Sequence, residues 1–386
     1  MVSALISSDC ENTSSPSSMG GPARRQVKWD LLRSLAMLGV VVVHSGSLLN
    51  PIMGINVGGI LSRLALICDP VFFALSGYFG IREMRCTYGS YCMRKISSVV
   101  LPLVVYSMVL YLYQGTGTDD YNISGYIRFF SDQLSPWWFI PCLLPFLAIA
   151  PFLFVLFDGL TDRQVRLVAG AAVLMSGAGA LLCLLSWLFR VSGHETLEIV
   201  VGLAQRFIPV SLFSYLGYLV YFCMGYFLRR LLILMSASEK RIVIGFGLAA
   251  WALDAYFAYE GIDLIDPSYF WLLGTAAIFF IFDRVQIESR GVSAAVEWAA
   301  RRSYSIYLLQ YTTISISTEL IYEVLLHGCV GSLFAPVRLG FWILLVFIAW
   351  IISLAVASLI DCTALKLIQA GFMKIAKRAG SGWRVA

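Results

Sequence analysis

Two titratable side chains, Arg33 and His44, lie eleven positions apart in one apolar stretch that runs from Leu31 to Leu49. Eleven residues of an α-helix turn through about 1100°, which is three turns and about 20° more, and rise by roughly 16 Å. We therefore expect both side chains on one helix face. A guanidinium binds phosphate through a planar fork, and an imidazole takes up a proton near neutral pH. The spacing suggests a path along this face from a guanidinium at one end to an imidazole at the other.

The composition defines the medium in which this helix lies. The chain has 386 residues, of which 59% are hydrophobic and 13% charged, and its mean hydropathy is +0.80. Soluble domains carry about 25% charged residues. The apolar runs are about 20 residues long, as a membrane-spanning helix requires, and lack the alternation of barrel strands. We predict an all-α integral membrane protein, in which buried ionisable side chains face the protein interior or a wet cavity.

The apolar runs predict a bundle of about ten transmembrane helices within one membrane domain at 30–360. A disordered tail at 1–29 precedes this domain, and a basic cytoplasmic tail at 361–386 follows it. The predicted spans are 31–49, 60–80, 96–113, 137–157, 165–189, 210–230, 242–259, 266–282, 303–325 and 338–360.

The distribution of basic residues predicts how this bundle is oriented. Of the 28 Lys and Arg residues, 22 fall on the side of the two termini, 5 fall on the other side, and Arg33 lies inside the first span. Cytoplasmic loops carry the excess of Lys and Arg, so both termini are expected in the cytoplasm. The net charge of +5 follows from this topology and gives no reason to expect a nucleic-acid partner. Arg33 is then expected near the cytoplasmic surface, and His44 in the outer half of the membrane.

Two carboxylates are predicted at a depth similar to that of His44. Asp69 lies in the second predicted span and Glu319 in the ninth. Either could orient the imidazole and stabilise its protonated form, as the acid of a catalytic triad does. Asp69 also has two structural interpretations, because it could cap a kink at Pro70 or pair with Arg63.

Metal, disulfide and nucleotide motifs are not evident. The nine cysteines include no CxxC pair, and they are interpreted as small packing residues. The chain has no Walker loop and no HExxH sequence, and we expect neither a metal nor a permanently bound cofactor. Trp137 and Trp138 suit the aromatic belt at the membrane interface.

Several sequence segments follow one another in an order that resembles a known family. The segments are Arg33 followed by His44, Pro70-Val71-Phe72-Phe73-Ala74-Leu75-Ser76-Gly77-Tyr78, Arg94-Lys95 before Pro102, Trp138-Phe139 with Pro151, Tyr218 to Met224-Gly225-Tyr226, and Ser303-Tyr304-Ser305-Ile306-Tyr307-Leu308-Leu309. Together they resemble acyltransferase family 3, the multispan membrane O-acyltransferases of bacterial surface polysaccharides. One position differs, because Gln310 stands where that family often has His.

The resemblance implies transfer of an acyl group, typically acetyl, from acyl-CoA to a hydroxyl of a glycan or lipid-linked saccharide. It implies His44 as the catalytic base, with Asp69 or Glu319 as its carboxylate partner. Coenzyme A carries several phosphates, and Arg33, Arg94 and Lys95 are the expected donor-binding residues. Trp137 and Trp138 are the candidates on the acceptor side. The expected location is the cell membrane, as a multi-pass protein of a bacterial inner membrane.

Two other functions fit the same composition. A transporter or flippase would also use ten helices with buried ionisable groups, although the two halves of this sequence show no internal repeat. A non-catalytic membrane domain with the same fold is the second alternative.

Overall fold

The computed structural model describes residues 26–49, 51–52, 54–114, 121–205, 217–262, 266–327 and 333–381. The chain divides into two compact units. Unit 1 consists of 1–41, 84–148 and 289–386, and unit 2 consists of 42–83 and 149–288. The described residues contain no β-strand, and their one extended pairing is an isolated bridge between Ile52 and Ile55.

The described chain is a succession of helices. The first eight are α1 (Val27–Ser45), α2 (Val57–Ala65), α3 (Cys68–Gly80), α4 (Tyr88–Lys95), α5 (Leu101–Gln114), α6 (Ile123–Leu134), α7 (Phe139–Asp158) and α8 (Asp162–Val191). The next eight are α9 (Glu195–Gln205), α10 (Gly217–Leu234), α11 (Ala237–Tyr259), α12 (Trp271–Asp283), α13 (Arg290–Ala300), α14 (Ser303–Thr318), α15 (Ala335–Ile360) and α16 (Lys366–Ser381). A 3₁₀ turn spans Gly46–Leu48, and π-helical segments span Ile96–Val100, Glu319–Leu325 and Asp361–Leu365.

Eight helical segments of the described chain are long and apolar enough to cross a membrane. They are Val27–Leu48, Val57–Gly80, Tyr88–Gln114, Phe139–Asp158, Asp162–Val191, Gly217–Leu234, Ala237–Tyr259 and Ala335–Ala376. The predicted helical membrane architecture is thus confirmed, and the chain is a multipass membrane protein. The count of ten and the cytoplasmic placement of both termini stay predictions.

The two other predicted spans correspond to shorter or more polar helices. Helix α12 has 13 residues, which at 1.5 Å per residue give about 20 Å, less than the roughly 30 Å of a hydrocarbon core. Helix α14 is rich in serine and threonine and gives way to the π-helical segment Glu319–Leu325.

The second predicted span, 60–80, falls within the candidate span Val57–Gly80, which consists of two helices. Helix α2 ends at Ala65, and α3 begins at Cys68 after a turn at 66–67. Pro70 is the third residue of α3, where its missing N–H removes no intrahelical hydrogen bond. The two residues of the turn are themselves apolar, so the apolar pattern of the sequence continues through the break between the two helices.

Of the two predicted tails, the structure describes residues 26–29 of the first and 361–381 of the second. After Ile360, the helix continues through the π-helical segment Asp361–Leu365 into α16, where Gln369 is buried and its Nε2 donates to the Ser97 carbonyl at 2.7 Å. The segment 361–381 is therefore helical. The predicted disordered tail at 1–29 falls almost entirely outside the described residues.

Two glycines of the motif segments bring α3 and α10 together in unit 2. A Cβ atom on Gly77 would overlap the Phe222 carbonyl oxygen, and one on Gly225 would overlap the Ala74 carbonyl oxygen. Small residues permit such close packing between membrane helices. At the end of α3, the Arg229 guanidinium donates to the carbonyls of Tyr78 (3.2 Å) and Ile81 (3.1 Å).

Candidate active site

Helix α1 carries both Arg33 and His44, as the spacing predicted. His44 lies in the last turn of the helix. Near its beginning, the Arg33 Nη1 lies 3.8 Å from the Asp30 Oδ1, with 12% of the arginine side chain and 4% of the aspartate side chain exposed. At 3.8 Å these two atoms form an ion pair but are too far apart for a hydrogen bond. Arg33 and Asp30 therefore form an ion pair across one turn near the start of α1.

The end of α1 that carries His44 is packed closely against α2 in unit 2. The Ser62 Oγ donates to the Val43 carbonyl at 3.3 Å. A Cβ atom on Gly46 would overlap the Ser62 side chain, and one on Gly58 would overlap the Gly46 carbonyl oxygen. The backbone immediately before and after His44 is thus fixed by one face of α2. His44 itself is partly buried.

Next to Ser62, Arg63 belongs to a buried polar group that we call the Asp254 cluster: Arg63, Asp254, Ser268 and Trp271. Asp254 is completely buried and accepts from the Arg63 Nε at 2.8 Å and from its Nη2 at 2.9 Å. It also accepts from the Ser268 Oγ at 2.5 Å and the Trp271 Nε1 at 3.0 Å. The guanidinium carbon lies 4.8 Å from the centre of the Trp271 ring. The aspartate is thus satisfied by four donors, of which two are cationic.

Asp69 lies in a different part of unit 2. Its Oδ1 accepts weakly from the Cys68 thiol at 3.5 Å, and Asp266 is close enough to interact with it electrostatically. Asp266 in turn accepts from the Tyr218 hydroxyl at 2.5 Å. The possible pairing of Asp69 with Arg63 is wrong, because the guanidinium reaches Asp254 on α11 instead.

The other predicted site residues lie in unit 1. Glu319 is exposed at the start of its π-helical segment. Arg94 and Lys95 form the last turn of α4 and are partly buried, with the Lys95 Nζ 5.2 Å from the centre of the Tyr91 ring. Arg33 belongs to the same unit, so all three proposed donor-binding cations do. Their roles stay predictions.

The two tryptophans before α7 differ in exposure. Trp137 is fully buried, whereas Trp138 is partly exposed. The Tyr307 hydroxyl donates to the Pro136 carbonyl at 3.2 Å and links this corner to α14. An aromatic ring that stacks on a sugar needs an accessible face, which Trp138 alone of the pair offers here.

A second buried carboxylate was not predicted from the sequence. We call its surroundings the Asp361 cluster: Tyr106, Ser305 and Asp361, all buried in unit 1. The Tyr106 hydroxyl donates to Asp361 at 2.8 Å, and the Ser305 hydroxyl lies 2.9 and 3.0 Å from its two oxygens. Ser305 stands in the Ser303–Leu309 motif segment, which was the one signal in the sequence for this cluster.

Gln310 lies on α14, five residues after Ser305 and three before Thr313, whose hydroxyl is bonded to that of Ser353 at 2.6 Å. Its side chain is completely buried, and neither its amide nitrogen nor its amide oxygen has a hydrogen-bond partner within the described chain. Buried amide groups are normally paired, and an unpaired one costs about 1–3 kcal/mol. This position is also where the sequence departs from the family pattern.

The described residues contain no group of three or more His, Cys, Asp or Glu side chains that could hold a metal ion. The side chains present at and near the candidate site are an imidazole, partly or fully buried carboxylates and guanidinium groups. Together with the helical architecture, these features describe a multipass membrane protein with a titratable side chain at the end of its first span.

Comparison with protein families identifies the class. The model of the acyltransferase domain of acyltransferase family 3 matches residues 26–362, nearly the whole chain. The chain belongs to this family, which confirms the resemblance drawn from the motif segments, and it is a membrane acyltransferase. Searches of curated proteins and of solved structures found no match.

Proposed function

We propose that this protein transfers an acyl group, in the first place acetyl, from acyl-CoA to a hydroxyl of a glycan or lipid-linked saccharide at the cell surface. The observation that carries the proposal is helix α1, which holds Arg33 and His44 on one face. Membership of acyltransferase family 3 supplies the class of reaction. The bacterial inner membrane is the proposed location.

In the proposed reaction, His44 acts as the general base. The acceptor hydroxyl oxygen attacks the carbonyl carbon of the thioester while the imidazole takes its proton. The C–O ester bond forms, the C–S bond breaks, and the imidazolium returns the proton to the coenzyme A thiolate. An imidazole suits both steps because its ordinary pKa is near neutral pH. Asp69 is the carboxylate retained in the proposal, since it is partly buried in the same unit as His44, whereas Glu319 is exposed.

The donor would be held by its phosphates. Arg33 offers a fork that matches phosphate geometry, and Arg94 and Lys95 add positive charge. The Arg33 Nη1 also lies 3.8 Å from the Asp30 Oδ1, so the guanidinium stands beside an acidic side chain near the start of α1. Trp138 is the proposed stacking residue for the acceptor.

The decisive experiment compares His44→Ala with His194→Ala in cells that produce the protein. His194 lies in the turn after α8 and is exposed, which makes it a matched control. We expect His44→Ala to abolish acylation of surface glycans, measured by mass spectrometry, and His194→Ala to preserve it. Both variants must reach the membrane and purify as a single species. A folded His44→Ala protein with near-normal transfer would refute the proposal.

Donor recognition is tested separately, by titrating the purified protein with acetyl-CoA in a calorimeter. We expect Arg33→Ala to weaken binding and Arg33→Lys to restore it only in part, because an ammonium lacks the planar fork. Unchanged affinity in Arg33→Ala would mean that this residue is only an anchor at the membrane surface.

A further inference from the structure

Helix α2 connects the candidate base to the Asp254 cluster through two consecutive residues. Ser62 donates to the Val43 carbonyl, immediately before His44. Arg63, the next residue, forms a bidentate ion pair with Asp254 on α11. Leu64 follows, and its carbonyl accepts from the Trp251 Nε1 at 3.0 Å. Three adjacent residues thus fix α2 to α1 on one side and to α11 on the other.

The contact between α1 and α2 leaves little room for movement. The Gly46 and Gly58 backbones lie so close that a side chain on either would overlap the other helix. A displacement of α2 would therefore be transmitted to the backbone on both sides of His44. Closely packed interfaces transmit strain in this way, because they contain no free volume that could absorb it.

The Arg63 guanidinium has the features of a positioning group rather than of a ligand-binding one. Its Nε and Nη2 atoms are engaged by both oxygens of a completely buried aspartate, and its planar face lies over Trp271. The bidentate fork fixes orientation as well as distance. Ser268 and Trp271 satisfy the remaining acceptor sites of the carboxylate, so the aspartate is also held in place.

We propose that the Arg63–Asp254 ion pair positions His44 for proton transfer, acting through α2. Arg63, Asp254 and Ser62 are positioning residues. This inference rests on the proposed function, in that His44 is the base. It explains why a buried ion pair, which contributes little net stability by itself, stands next to the residues that contact the end of α1.

The test needs a direct report on the His44 side chain as well as on turnover. The chain has three histidines, so His194→Gln and His327→Gln leave His44 as the one imidazole. Its rate of modification by diethylpyrocarbonate, measured on the full-length protein in nanodiscs, reports its environment without any acyl transfer. Transfer of radiolabelled acetyl from acetyl-CoA to the acceptors of the host membrane gives kcat, and the KM for the donor.

We expect Arg63→Lys and Asp254→Asn to change the modification rate of His44 and to lower kcat by about 10- to 100-fold, because small displacements of a catalytic group have effects of that size. The KM for acetyl-CoA should change by less than a factor of about 2, since neither residue contacts the donor in the proposal. Ser62→Ala leaves the ion pair intact and should cause a smaller change of the same kind. The Ser62→Ala variant therefore still tests the inference if Arg63→Lys and Asp254→Asn fail to fold.

The matched control is Arg190→Met, which breaks an exposed ion pair of the same unit, between Arg190 and Glu198 at 2.9 Å. It should leave both readouts unchanged. Folded Arg63→Lys and Ser62→Ala proteins with wild-type kcat and wild-type His44 reactivity would overturn the inference. A failure of the proposed function itself would give a different result, because His44→Ala would then retain transfer. The modification rate of His44 would still show whether Arg63 positions the imidazole.

Discussion

Two completely or largely buried carboxylates, Asp254 in unit 2 and Asp361 in unit 1, are satisfied in different ways. Asp254 is 0% exposed and accepts from a guanidinium, an indole and a hydroxyl. Asp361 is 8% exposed, and the hydrogen bonds that it accepts come from the hydroxyls of Tyr106 and Ser305. One carboxylate thus has a cationic donor in direct contact, and the other is bound by neutral donors.

The two clusters should respond differently when a hydrogen-bond donor of the buried carboxylate is removed. Loss of a neutral hydroxyl removes one hydrogen bond of several. Loss of the guanidinium leaves a charge in a place that water does not reach, and this penalty is larger than the attraction that the pair gained in forming. Single substitutions should therefore lower the free energy of unfolding more in the Asp254 cluster than in the Asp361 cluster. Removal of Arg63 and Asp254 together should cost less than removal of either one alone.

The largest effect is expected for Arg63→Met. This change leaves Asp254 without its cation and should lower the free energy of unfolding by about 3–5 kcal/mol. The measurement is denaturant- or heat-induced unfolding of the purified protein in detergent. The double variant Arg63→Met/Asp254→Leu should recover much of the loss, and additive losses would contradict the interpretation of the cluster as a compensated charge pair.

A smaller effect is expected for Asp361→Asn. The amide keeps the shape of the carboxylate but turns one acceptor into a donor that faces hydroxyl groups, at a cost of about 1–3 kcal/mol. The same unfolding experiment should show a smaller loss than that for Asp254→Asn, where Arg63 would be left facing a neutral amide. An equal loss in both variants would mean that the cationic partner makes no difference.

Gln310→Met tests the buried amide that has no partner. Methionine has a similar length and no hydrogen-bonding atoms, so the free energy of unfolding should rise by on the order of 1 kcal/mol as the cost of the unpaired amide disappears. Gln369→Met is the matched control, because its amide is bonded to the Ser97 carbonyl and its removal should destabilise. A loss of stability in Gln310→Met would show that this amide is paired in the membrane, for instance by water.

The smallest effect is expected within the Asp361 cluster. Ser305→Ala and Tyr106→Phe each remove one neutral hydrogen bond and should cost about 0.5–1.5 kcal/mol. Because both hydroxyls bind one carboxylate, the double variant should deviate from additivity, and a double-mutant cycle measures this coupling. Strict additivity would contradict a shared cluster.

Much of the fold could be predicted from the sequence. The apolar runs correspond to helices over the described chain. The segment before Pro70 shows what the pattern does not report: Val57–Gly80 is one candidate span, but a turn at 66–67 divides it into two helices. Periodicity reports which residues are apolar, and a two-residue turn does not interrupt it. The ninth predicted span, 303–325, corresponds to α14 and the π-helical segment that follows it.

The candidate site could be predicted only in part. Arg33 and His44 were identified because eleven residues on one helix define a face without any tertiary information. Asp69 and Glu319 were selected by depth along their spans, and depth says nothing about direction around the helix. Glu319 proved to be exposed, and the polar neighbours of Asp69 are Cys68 and Asp266.

The sequence by itself determined the membrane class, most of the helices, the family and the face shared by Arg33 and His44, since each of these depends on local composition or on spacing within one helix. Only the tertiary structure decided the partners of the buried charges. Arg63 binds Asp254, which is 191 positions away, rather than Asp69, which is 6 positions away. The reason is geometric: a bidentate ion pair needs two side chains at one depth on facing helix surfaces, and the packing of α2 against α11 alone provides that.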